Sequence, residues 1–179
     1  KKKKKGSGGY LFGAGDMSDG DPSVAIEVGN TIEFRIYAGG HISRLVPTQL
    51  TRDNTAWYHY VVAVDTTQAT SSNRVKVYIN GTQVTSFATE EYMSQNYDTM
   101  VNSTSYPQRV GDRGGGNFDG CMAHVHLKDG TAYPVLKFGE KVLASPAVRT
   151  PPTPNFPPPT PLSSFWFEAE RSPLFFFFF

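Results

Sequence analysis

The chain has 179 residues, with 17 lysines and arginines against 16 aspartates and glutamates and a formal net charge of +1. Five of the positive charges are the lysines at positions 1–5, so the remainder is mildly acidic, which excludes a nucleic-acid footprint in the folded part. One core of ordinary size can be buried at this length, and the single cysteine, Cys121, excludes an intrachain disulfide framework. No stretch approaches the roughly 18 apolar residues of a membrane span, and the first residues lack the apolar centre of a secretory leader. A protein of this kind acting outside a cell is expected to leave by lysis or as part of a larger assembly.

Residues 1–9 are basic and then rich in Gly and Ser, the composition of a flexible arm. Short strands follow in order at 10–14, 24–28 and 32–37, with a turn-rich acidic loop after the first and a compact Gly29-Asn30 turn between the other two. Along 32–37 the alternation places Ile32, Phe34 and Ile36 on one face and Glu33, Arg35 and Tyr37 on the other. A further strand spans 42–46. The run from Ala56 to Asp65 is a long aromatic and β-branched strand, with Trp57 placed in the core. It is followed by a strand from Arg74 to Ile79 and then by Asn80-Gly81. That dipeptide supplies the two positive φ angles of a type I′ turn and marks a hairpin.

Residues 90–100 are the one weak helical candidate, and strands resume at 108–111 and 118–127. From 145 to 161 about half the residues are proline, which predicts an extended, polyproline II-like arm lying over a surface. Residues 165–168 are a candidate closing strand, and the phenylalanines at 175–179 form a hydrophobic tail that would be an aggregation hazard if exposed. The resulting division is a flexible arm at 1–9, a β domain at 10–144, a proline-rich arm at 145–161 and a closing strand with its tail at 162–179. Many short strands separated by turn signals predict an all-β, antiparallel, two-sheet sandwich.

Three stretches carry a family resemblance. They are Trp57-Tyr58-His59 with Tyr78-Ile79-Asn80-Gly81, then Arg109-Val110-Gly111, and then Phe118-Asp119-Gly120 running on to Lys128-Asp129-Gly130. Together they resemble the laminin-G-like branch of the concanavalin A-like lectin/glucanase superfamily, and most of all the copies in tailed-phage structural proteins. The likeness covers about 10–140 and implies a jelly-roll sandwich. It departs at both ends, where lysines and glycines replace a tryptophan-bearing first strand and where the proline-rich arm intervenes.

Hydrolysis on such a fold needs two carboxylates flanking the scissile bond. The Glu-x-Asp-x-x-Glu strand that the resemblance implies for its glucanases is missing. Glu90 and Glu91 are adjacent and point apart if extended, and Glu168 and Glu170 lie beyond the matched region, so no catalytic residue is assigned. Asp16, Asp19 and Asp21, joined by Asp112 and Asn117 if the loops converge, are candidate calcium ligands, although the spacing is also ordinary turn chemistry. His124 and His126 would share a strand face, which suits zinc only with a third ligand, while Cys121 would point into the core beside Ala123 and Val125. Tyr92, Asn96, Tyr97, Asn102 and Tyr106 supply aromatic and amide groups for a glycan site, and the same tyrosines could simply anchor long loops.

The expectation is therefore a non-enzymatic structural or adhesion domain of a virion, present in many copies. It would contact other virion proteins through its terminal arms and display loops toward a cell-surface glycan. The alternative is a calcium-assisted carbohydrate-binding module of a secreted bacterial protein.

Overall fold

The computed structural model describes residues 9–15, 22–53, 56–112 and 117–128, together with the backbone of 174–178. In chain order the strands are β1 (Gly9–Gly15), β2 (Ser23–Val28), β3 (Ile32–Tyr37), β4 (His41–Pro47), β5 (Tyr60–Val64) and β6 (Val75–Ile79). They continue as β7 (Thr82–Gln83), β8 (Phe87–Glu91), β9 (Gln108–Val110), β10 (His126–Lys128) and β11 (Leu174–Phe178), with a 3₁₀ turn at Ser71–Asn73. One sheet has the order β8-β4-β3-β2-β1-β9 and the other β10-β11-β5-β6-β7. All pairings are antiparallel, so the architecture is a two-sheet β-sandwich.

The alternation seen in the sequence explains how the sheets meet. On β3, Ile32, Phe34 and Ile36 are at most 1% exposed, while Glu33, Arg35 and Tyr37 between them are half-buried on the opposite face. On β6, Val75, Val77 and Ile79 go inward in the same way. Tyr60, Val62 and Val64 of β5 join them, and Val24, Ile26 and Leu45 complete the facing surface. Removing Phe34 from the middle of this layer would cost about 3–5 kcal/mol, the usual result of a large aromatic truncation in a closed core.

The outer face of the six-stranded sheet is charged, and its register creates a conflict. Glu27 stands directly opposite Glu33, and Arg35 directly opposite Arg44. Diagonal pairs resolve the repulsion: Arg44 Nε donates to Glu33 Oε1 at 3.0 Å, and Arg35 lies 3.7 Å from Glu27. Arg35 also donates to the Tyr10 hydroxyl at 2.8 Å with its guanidinium 5.5 Å from the ring centroid. Such half-exposed pairs are worth about 0.2–1 kcal/mol each, so they fix register more than stability.

Three expectations from the sequence are corrected. Residues 118–127 do not form one strand: the ladder begins only at His126, and His124 has a left-handed φ of 52° that interrupts alternation. The Phe118-Asp119-Gly120 step bends because the phenyl ring packs over glycine, where an added Cβ would stand 2.7 Å from Phe118 Cζ. Cys121, outside any ladder, is exposed rather than buried. Residues 90–100 are not helical; the chain leaves β8 at Glu91 and continues as loop. The candidate strand at 165–168 lies outside the described residues, and the strand found in that terminal stretch is β11.

The loops at one end of the sandwich are fastened by Arg74. Its guanidinium donates to three backbone carbonyls, from Nε to Gln68 (2.9 Å), Nη2 to Ala69 (2.8 Å) and Nη1 to Met93 (2.8 Å). Asp65 completes the turn by accepting from the Thr67 backbone N–H (3.1 Å), the Thr67 hydroxyl and the Gln68 amide (both 2.6 Å). Burial alone would raise the Asp65 pKa, but these hydrogen bonds outweigh it and hold the carboxyl below its ordinary range. Replacing Arg74 by methionine keeps the stem and strands three carbonyls. The expected outcome is a loss of about 2 kcal/mol, read as a lower urea midpoint with an unchanged slope.

Candidate functional site

The aromatic run ahead of β5 divides by exposure. Tyr58 stacks on Tyr60 with ring centroids 5.9 Å apart and planes 17° from parallel, and Tyr60 is in the core. Ahead of the strand, Tyr58 and His59 are half-buried. Trp57, also outside β5, is 65% exposed, which corrects its expected place in the core.

This exposed indole borders an open cavity of about 370 Å³ lined by Trp57, Tyr58, His59, Asn80, Ala123 and His124. Asn80 comes from the predicted hairpin turn, where it has a left-handed φ of 51° and Gly81 one of 81°. It grips His59 from both directions: the Asn80 side-chain carbonyl accepts from the His59 backbone N–H at 2.9 Å, and the Asn80 backbone N–H donates to the His59 carbonyl at 2.8 Å. Burial pushes the His59 imidazole below its ordinary pKa, so this wall of the cavity is neutral at pH 7. His124 enters from the loop before β10, its left-handed backbone separating it from His126, so the two histidines do not share a strand face. The cavity therefore offers an exposed aromatic surface, a second aromatic ring, imidazoles and a turn amide. With an almost wholly apolar surface, the cavity suits the apolar face of a flat ligand.

The tyrosines and asparagines expected to hold a glycan occupy two separately fastened loops. Tyr92, Tyr97 and Tyr106 are half-buried against the core. Tyr92 donates its hydroxyl to Glu90 at 2.8 Å. Asn96 and Asn102 take left-handed φ angles of 58° and 61°, as turn asparagines do. The Asn96 N–H donates to the Thr66 carbonyl at 2.8 Å. Gln108 holds the other loop, donating to the carbonyls of Met100 (2.9 Å) and Tyr106 (3.1 Å) and accepting from the Asn102 N–H (3.4 Å). Each of these residues has a place in anchoring its loop.

Of the candidate calcium ligands, Asp16, Asp19 and Asp21 lie outside the described residues. Asp112 and Asn117 lie beside the hydrogen bond in which the Phe118 N–H donates to the Gly111 carbonyl at 2.9 Å. Among the described residues no group of three or more His, Cys, Asp or Glu side chains is placed to hold a metal ion. Trp57 was expected in the core because of its size; it lies ahead of β5, where the alternation that fixes the core side chains has not yet begun.

Burial raises the pKa of Tyr60, Tyr78, Tyr92 and Tyr97, with the Glu90 hydrogen bond and charge adding to the effect at Tyr92. Neutral phenols are thus favoured in the fold. Their contribution is complete below the unfolded-state value near 10 and is lost as pH rises beyond it. The urea midpoint is expected to fall between about pH 8 and about pH 11, and to fall less in Tyr92→Phe; equal midpoints at both pH values would contradict this.

Comparison with known proteins yields one family. No curated protein matches the chain, and no solved structure does. A laminin G family model, described as concanavalin A-like lectin/glucanases superfamily, matches residues 2–132. With most of the chain matched and two antiparallel sheets packed face to face, the protein belongs to the concanavalin A-like lectin/glucanase superfamily, in its laminin-G-like branch.

Proposed function

We propose that this is a non-enzymatic binding domain of a virion, displayed in many copies and directed toward cell-surface glycan. The observation that carries the reading is Trp57, a large indole held 65% exposed over an apolar cavity instead of being buried. Exposed aromatic faces cover the apolar side of a sugar ring, while imidazole and amide groups at the edge meet its hydroxyls. The non-enzymatic part is supported by the lining, in which none of the six residues is a carboxylate, whereas glycoside hydrolysis asks for two. Support for the virion setting comes from the likeness of Trp57-Tyr58-His59 and Phe118-Asp119-Gly120 to the copies in tailed-phage structural proteins. In such a particle a weak single contact is multiplied by copy number.

The test is a glycan array probed with the wild-type domain and with Trp57→Ala, in a multivalent format. Wild-type binding is expected on a subset of glycans, reduced at least tenfold in the variant, with thermal stability unchanged because the indole is mostly exposed. Binding that survives loss of Trp57 would move the site elsewhere. Binding abolished by a chelator would favour the calcium-assisted module, and release of reducing ends from any bound polysaccharide would overturn the non-enzymatic assignment.

A further inference from the structure

Much of the polar chemistry lining the cleft beside Trp57 is already committed within the protein. The Tyr58 hydroxyl accepts from the Asp53 backbone N–H at 3.3 Å, so what Tyr58 brings to the lining is mainly its ring. Nε2 of His59 is buried. The carboxamide of Asn80 has its orientation fixed by the bond it makes. A backbone N–H needs an acceptor, so the Asn80 oxygen must face the His59 N–H, as it does at 2.9 Å. What Asn80, an exposed residue of the lining, keeps for a ligand is therefore its amino group, which can only donate.

Two kinds of sugar fit this lining poorly. None of its six residues is Asp, Glu, Lys or Arg, so a carboxylated or sulfated sugar would lose water there with no counter-charge. A plain hexose can lay its apolar face on the indole, but the hydroxyls at its edge then meet a lining that is mostly carbon. Those hydroxyls would give up water without gaining a partner. An acetamido substituent matches the same lining better, because it joins a methyl group to a carbonyl acceptor. The methyl suits apolar surface, and the carbonyl needs a donor of the kind that Asn80 supplies.

We propose that the cleft is a subsite for an N-acetylated hexosamine, with the acetamido methyl against Trp57 and Ala123 and the acetamido carbonyl accepting from the Asn80 amino group. This assignment rests on the reading of the cleft as a glycan site and names the sugar class that the site selects.

The test measures binding to four multivalent polyacrylamide probes of equal density: N-acetylglucosamine, glucose, N-acetylgalactosamine and galactose. At least one acetylated sugar is expected to bind about tenfold or more tightly than its parent hexose. Asn80→Asp removes the donor while its carboxylate still accepts the His59 N–H, and Asp-Gly supports the same turn. The preference is expected to vanish in that variant, with the melting temperature unchanged. Equal binding within both pairs, or a preference that survives Asn80→Asp, overturns the acetamido assignment. So does retention of other array glycans through Trp57 with neither acetylated probe bound. In each of these cases the glycan reading itself stands. Binding to no glycan at all removes that reading and the assignment with it. Should Asn80→Asp lower the melting temperature, the ratios measured on the wild-type domain decide alone.

Discussion

The strict two-residue period along β3, β5 and β6 is the constraint on which everything else rests. Ile32, Phe34 and Ile36 from one sheet and Tyr60, Val62, Val64, Val75, Val77 and Ile79 from the other form a single dry layer. Once that layer is closed, every intervening residue is committed to an outer face. Glu33, Arg35 and Arg44 must then settle their charges laterally. A slip of one residue in β5 would bury His59 and expose Tyr60, so register and the candidate site are specified by the same packing.

Loop order is a second, separate matter. The guanidinium of Arg74 gathers carbonyls from the segment after β5 and from Met93, while Gln108 gathers those of Met100 and Tyr106. Neither device adds a new binding group. They hold long irregular segments by satisfying backbone acceptors that would otherwise be left without partners. That explains why the tyrosine-rich region is structurally ordered while the exposed aromatic surface lies elsewhere.

Much of the fold was legible because its signals are local. The Asn80-Gly81 turn, the Gly29-Asn30 turn and the inward face of β3 each follow from a few adjacent residues, and the structure agrees on all three. The failures share one cause, which is that exposure depends on partners distant in sequence. Cys121 and Val125 alternate like core residues, but the ladder does not extend to them, because Phe118 folds over Gly120 and His124 reverses its backbone. The tyrosine-rich loops show the same dependence on distant partners. Three tyrosines in one polar stretch suggest a platform, whereas packing against the sandwich rim decides how much of each ring remains open.

The double grip of Asn80 on His59 divides the cleft into parts that differ in how freely they can change. Asn80 supplies a backbone conformation that few side chains tolerate, and it is bonded on both sides to the strand that carries the core tyrosine. Altering that wall means altering the hairpin. Ala123 and His124, also in the lining, sit on a connection outside any ladder, and Trp57 lies ahead of the strand that follows it. If the cleft takes the proposed ligand, sequence changes there have a fixed reference surface at Asn80 and His59 and replaceable surfaces elsewhere, so the preference can diverge without the folding being renegotiated.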